Sequence, residues 1–102
     1  MIIYNVTVNI EKSIHDEWLI WIKNYIPQVL ATGKFTGAKL TKVLVEEEMG
    51  GTTYAIQYRA KSREALESYY KNDADKLNQD GLLKFTDKML TFKTELEIID
   101  EY

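Results

Sequence analysis

The sequence predicts an α+β fold in which strand–helix–strand occurs twice. Two alternating segments carry this reading. Tyr4, Val6, Val8 and Ile10 alternate with Asn5, Thr7 and Asn9, and Tyr54, Ile56 and Tyr58 alternate with Ala55, Gln57 and Arg59. Side chains on a strand point to opposite faces with period two, so each segment has one apolar and one mixed, polar face. A helical pattern and then another strand follow each of them. Between the halves, Glu46–Glu48 lead into Met49, Gly50 and Gly51. Paired glycines supply the positive φ of a hairpin turn.

The first strand spans Ile2 to Ile10, and Glu11 and Lys12 turn the chain. Ser13 is expected to cap the first helix, with Asp16 inside its positive end. That helix runs from Ile14 towards Tyr25. Ile14, Trp18, Trp21, Ile22, Tyr25 and Val29 share one stripe at 3.6 residues per turn. Ile20 falls on the opposite face, as a lone exposed apolar residue or a contact point. Pro27 is expected to break the ladder and open a short second helix ending at Gly33. The second strand covers Phe35 to Glu46, broken early by Gly37, and the third covers Thr52 to Ala60. Ser62 caps the next helix, whose stripe is Ala65, Leu66, Tyr69, Tyr70 and Leu77. Gly81 is expected to end that helical region and Leu82 to Thr86 to form a short turn. The fourth strand is Leu90 to Ile99.

Strand–helix–strand repeated about a hairpin is the split βαβ, or ferredoxin-like, arrangement. Right-handed crossovers put both helices on one face of a four-stranded antiparallel sheet. The helices are expected to cover Tyr4, Val6, Val8, Ile56, Phe92 and Leu96. The other face then carries Asn5, Thr7, Asn9, Gln57, Arg59, Thr91, Lys93 and Glu95.

The 102 residues fit a single domain, 1–102, able to bury one core. Hydrophobic residues make up 45% and charged residues 28%, ordinary for a globular protein. With no cysteine, disulfides, thiolate metal sites and a cysteine nucleophile are excluded. A net charge of −3 and no basic stripe argue against nucleic acid as a partner. The aromatic Tyr54 and Tyr58 also fall on the apolar face, away from where RNA-recognition modules stack bases. No apolar run approaches the ~18 residues of a membrane span, so no membrane is expected as a partner. Met1–Ile10 reads as a strand rather than a signal peptide, and a cytoplasmic location is expected. Asn5-Val6-Thr7 fits the glycosylation triplet, a match without meaning in the absence of secretion.

No cofactor or metal motif is complete. Asp73 to Asp80-Gly81 resembles a calcium loop, but its glycine is not at the sixth position and Lys84 stands at the twelfth. Gly50-Gly51-Thr52-Thr53 lacks the lysine of a phosphate loop. No cofactor is expected. His15, the single histidine, reads as a surface or boundary residue, because no nucleophile converges on it. Trp18 and Trp21 read as core. Asp73 lies on an apolar stripe, where a carboxylate is unusual.

The polar sheet face is the candidate site. It is either solvated or enclosed by a second copy packed sheet to sheet. Enclosure would bury Arg59, Lys93 and Glu95, and buried charges need partners or a ligand. Ile3 with Val43 or Val45 would supply the apolar seam.

Met1-Ile2-Ile3-Tyr4-Asn5-Val6-Thr7-Val8-Asn9-Ile10, the stretch from Thr41-Lys42-Val43-Leu44 to Gly50-Gly51-Thr52-Thr53-Tyr54, and Thr94-Glu95-Leu96-Glu97 resemble a family of short bacterial proteins known as a domain of unknown function. The resemblance spans nearly the whole chain. It implies a ferredoxin-like fold within the dimeric α/β-barrel group, and it brings no catalytic residues. Haem degraders of that group use an asparagine, a tryptophan and a histidine around one pocket. Here both tryptophans and His15 lie on the first helix, which departs from that pattern.

Three functional expectations follow. The first is a homodimeric binding or regulatory protein that holds a small anionic ligand with Asn5, Thr7, Asn9, Gln57, Arg59, Lys93 and Glu95. The second is a cofactor-free monooxygenase- or isomerase-like enzyme, with Asn5 stabilising an oxyanion and Tyr58, Lys93 or Glu95 moving protons. The third is a structural dimer without a ligand.

Overall fold

A computed structural model describes residues 1–45, 50–85 and 87–102, with the side chains of Asp80 and Leu82 left aside. The elements are β1 (Ile2–Ile10), a 3-10 turn (Lys12–Ile14), α1 (His15–Leu30), β2 (Phe35–Lys42), β3 (Thr52–Ala60), α2 (Arg63–Asn72), α3 (Ala74–Phe85) and β4 (Met89–Glu97). The strands form one antiparallel sheet in the order β2-β3-β1-β4. This is the ferredoxin-like arrangement that the repeated pattern predicts.

The two alternating strands are the central pair, and their register explains why they read so clearly. Tyr4 lies opposite Tyr58, Val6 opposite Ile56 and Val8 opposite Tyr54. Directly opposed residues share a face, so these six point together at the helices. There they meet Trp18, Ile22, Tyr25 and Val29 of α1 and Leu66 and Tyr69 of α2 in one continuous core.

Several local expectations need correction. Ser13 does not cap α1. The chain takes a 3-10 turn that buries Ile14, and α1 starts at His15 with no side-chain cap. Pro27 does not split the helix; α1 continues through it to Leu30. Proline costs about 3 kcal/mol in a helix interior. Here it sits near the C-terminal end, its carbonyl accepts from Ala31 at 2.9 Å, and continuing the helix buries Val29 completely. Gly33 then turns the chain with φ of 78°. Gly81 does not stop a helix either. It lies within α3, which follows α2 after a break at Asp73 and extends to Phe85 in place of the expected turn from Leu82. The fourth correction concerns β4. Its residues Lys93 and Glu95 lie opposite Val6 and Tyr4, whereas Phe92 and Leu96 lie opposite Thr7 and Ile3. Thr91, Lys93 and Glu95 therefore share the helix side, and Phe92 and Leu96 the open side.

Ser62 caps α2 as predicted, its Oγ accepting from the Ala65 N–H at 3.0 Å. The hairpin expected over Glu46–Met49 lies outside the described residues, as does the predicted turn's last residue, Thr86. The predicted second strand overruns the observed one: β2 ends at Lys42, and residues 43–45 lie outside it. Gly50 and Gly51 have the positive φ expected of them, 78° and 74°. A Cβ on Gly51 would stand 2.6 Å from the Ile10 carbonyl oxygen, so β1 and the start of β3 meet where only glycine fits. Among the described residues, no helix is long and apolar enough to cross a membrane.

Candidate functional site

The helix side of the sheet holds a cavity of about 330 Å³. Its walls are Tyr4, Trp18, Trp21, Tyr25, Tyr58 and Tyr69, with Val6, Val8, Ile22 and Ile56 between them. The exposed residues that line it are Asp75 and Gln79 of α3 and Thr91 and Lys93 of β4. The mouth therefore opens between α3 and β4, at the sheet edge that the helices leave uncovered. The volume falls at the lower end of small-molecule sites, and the apolar wall with a few polar groups at one end is their usual composition.

Packing explains the shape. Trp21 stacks on Tyr25 with ring centroids 4.6 Å apart and meets Phe85 edge-on at 5.6 Å. Its indole lies against Gly81, where an added Cβ would come within 2.6 Å of the ring. Glycine inside a helix costs about 1 kcal/mol relative to alanine. Here it lets α3 approach the indole. Tyr25 donates to Asn78 Oδ1 at 2.6 Å, one turn before Gly81 on α3. Tyr4 sits among Phe35, Tyr58, Tyr69 and Tyr70 at centroid distances of 5.4 to 6.3 Å for the pairs within this group that involve Tyr4 or join Phe35 to Tyr58. Burial raises the pKa of Tyr4, Tyr25, Tyr58 and Tyr69 above the ordinary phenol value. All four stay neutral at physiological pH, so the cavity presents phenol groups and no phenolate.

Glu95 stands two residues beyond Lys93 on the helix side of β4, outside the cavity wall. Arg63 Nη1 donates to its Oε1 at 2.6 Å and Tyr70 to its Oε2 at 2.7 Å. The hydrogen bonds from Arg63 and Tyr70 hold the carboxylate pKa below its usual value. Glu95 is thus a tie between β4 and α2. Lys93 and Asp75 differ from it: neither has an ion-pair partner among the described residues. His15, on the far flank, is half-buried. Its Nε2 lies 2.7 Å from the Tyr54 hydroxyl and its Nδ1 3.2 Å from Asp16. Tyr54 in turn packs on Trp18 at 5.0 Å.

The candidate set is divided between the two faces of the sheet. Asn5, Thr7, Asn9, Gln57 and Arg59 lie on the open face, and Lys93 and Glu95 behind it. Asn5 donates to Thr7 at 3.2 Å and to Thr94 at 3.3 Å. Asn9 donates to Thr53 at 3.1 Å and to the Gly50 carbonyl at 3.4 Å, pinning the start of β3. Gln57 and Arg59 join Ile3, Gly37 and Lys39 around a shallow hollow of about 230 Å³. The open face also exposes Leu90, Phe92 and Leu96. Val43 is half-buried and Val45 exposed, both beyond the end of β2.

The sequence reading missed the cavity. Trp18 is buried in the core and Trp21 packs against it, as the sequence predicts, and both also wall the cavity. Asn78, Gly81 and Thr91 carried no motif. The one available signal was Gly81 inside an otherwise helical stretch, which more often marks a packing demand than a stop.

An antiparallel sheet with helices on one face and an aromatic cavity beneath them places the chain among ferredoxin-like α+β proteins. Solved structures agree. The chain is similar to a dimeric ferredoxin-like protein from an uncultured marine organism (TM-score 0.75, 10% identity, 99% of this chain and 97% of that one). It is also similar to SnoaB, a cofactor-independent oxygenase from Streptomyces nogalater (TM-score 0.69, 8% identity, 98% and 95%). A third is an ethyl tert-butyl ether d family protein from Bacillus halodurans (TM-score 0.67, 11% identity, 95% and 100%). At these identities the likeness is one of fold. The chain belongs to the family described as domain of unknown function DUF4286, whose model matches residues 1–99. No curated protein sequence matches it.

Proposed function

We propose that the protein is a homodimer that binds one small molecule per protomer, with an apolar, aromatic-compatible body, in the cavity between sheet and helices. The aromatic-walled cavity with its mouth between α3 and β4 carries this reading. It moves the ligand from the open sheet face to the opposite side, with Lys93 kept as the cation that faces an anionic group.

The open face then serves the dimer. Leu90, Phe92 and Leu96 stand in a row along edge strand β4 at 53%, 62% and 43% exposure. Such a row, bordered by Asn5 and Thr7, suits a second copy of itself across a twofold axis. The structural neighbour described as dimeric supports the same assembly.

A second reading rests on the hollow at Arg59, where Lys39 and Gln57 converge with it. There an anionic group would lie in the dimer interface. Arg59→Gln would abolish that binding and leave the fold intact; unchanged affinity rejects it. The cofactor-free enzyme reading keeps Tyr58 and Lys93 together at the cavity, but Asn5 lies on the other face and cannot join them within one protomer.

Native mass spectrometry of the protein as purified tests the principal reading. A dimer with extra mass, lost on denaturation and reduced by the cavity-filling Val6→Phe, is the expected result. A bare protein that takes up no apolar small molecule contradicts it.

A further inference from the structure

The two lips of the cavity carry opposite charges. Asp75 stands on the α3 side and Lys93 on the β4 side, both exposed and both lining the cavity. Neither forms an ion pair with any described residue. Glu95 and Lys84 of the same elements are engaged, Glu95 with Arg63 and Tyr70 and Lys84 with Glu17 at 3.8 Å, whereas Asp73, two residues before Asp75, has its Oδ2 buried without a hydrogen-bond partner among the described residues. Between the two free charges lie neutral hydrogen-bonding groups, Gln79 and Thr91 at the mouth and Asn78 just inside. Below them the wall is aromatic, and its phenols are neutral.

A simple carboxylate at this mouth meets Lys93 but also the negative charge of Asp75. A simple amine meets the reverse. A head group that carries both an ammonium and a carboxylate satisfies both lips at once, and an apolar side chain behind it fills the aromatic interior. We infer that the cavity selects a zwitterionic ligand of the apolar α-amino acid type, with its carboxylate towards Lys93, its ammonium towards Asp75 and its side chain among Trp18, Tyr25 and Tyr58. This inference rests on the cavity being a binding site at all.

Four indole compounds separate the terms: L-tryptophan, indole-3-propionate, tryptamine and indole. Isothermal titration of each into the intact protein measures the worth of each charge. The expected result is that L-tryptophan binds about tenfold more tightly than either singly charged analogue, roughly the worth of one charge-assisted hydrogen bond. Asp75→Asn should remove its advantage over indole-3-propionate, and Lys93→Gln its advantage over tryptamine. Both residues are exposed, so neither change threatens folding. Indole-3-propionate binding as tightly as L-tryptophan overturns the inference in favour of an anionic ligand and leaves the cavity reading standing. Equal binding of all four overturns it in favour of a ligand held by its apolar body alone, and likewise leaves the cavity reading standing. If none of the four binds, both the inference and the cavity reading fail.

Discussion

The two faces of this sheet are built from the same four strands and do different work. On the helix side, β1 and β3 present tyrosine, valine and isoleucine to three helices, and the space left over is an aromatic cavity. On the open side they present asparagine, threonine, glutamine and arginine. Strand β4 reverses this. Its polar residues Thr91, Lys93 and Glu95 face the helix side, and Leu90, Phe92 and Leu96 face out. The difference comes from position. β1 and β3 are central, so the helices lie over both; β4 is an edge, where the helix side opens to water as the cavity mouth. The apolar residues of an edge strand point towards whatever covers the sheet, here a second copy of the chain on the reading proposed above.

Four substitutions sharpen or break this comparison. Leu66→Ala, at a fully buried core position, should cost about 2–5 kcal/mol by denaturant unfolding of the protein. Phe92→Glu on the open face should leave each protomer folded and weaken the dimer by about 2 kcal/mol or more, read by sedimentation equilibrium. If Phe92→Glu leaves the dimer constant unchanged, the division between faces is wrong. Gly81→Ala comes next. Glycine to alanine inside a helix ordinarily stabilises by about 1 kcal/mol. Here the new methyl meets the Trp21 indole, already packed against Tyr25 and Phe85, so the sign should invert, with a loss of about 1–3 kcal/mol and altered tryptophan fluorescence. A raised Tm would show that α3 is free to shift.

The smallest effect concerns Glu95. Its folded pKa is depressed by Arg63 and Tyr70, so its contribution to stability is present above the unfolded value of about 4.3. That contribution fades as pH falls through the lower folded value. Wild-type protein should therefore lose more stability than Glu95→Gln on acidification below about pH 5, by a small margin because the pair is partly exposed. Parallel pH profiles would remove Glu95 as a tie between β4 and α2.

The sequence made β1 and β3 legible because central strands under helices display their period over most of their length. The α2 cap was legible at Ser62 for a local reason, a side-chain oxygen three residues before a free N–H. Ser13 offered the same local signal, but burial of Ile14 set the start of α1 instead. Proline at 27 was overridden because Val29 belongs to the core stripe. The face of β4 could not be read from alternation alone. Leu90, Phe92 and Leu96 alternate well, yet a register tied to β1 decides which side they take. That error carried into the candidate site, since Lys93 and Glu95 were grouped with Asn5 and Arg59 across the thickness of the sheet. The cavity was illegible for a further reason. It is the volume that Trp18, Trp21 and the tyrosines fail to fill, and only their mutual packing defines it.

Ligand binding by the Phe92→Glu variant tests the central claim most directly. The indole compound that binds wild-type protein most tightly is titrated into the variant at concentrations where it is monomeric. A cavity complete within one protomer predicts one site per chain and an affinity within about threefold of wild type. Loss of binding together with the dimer would place the ligand at the sheet interface and contradict the account.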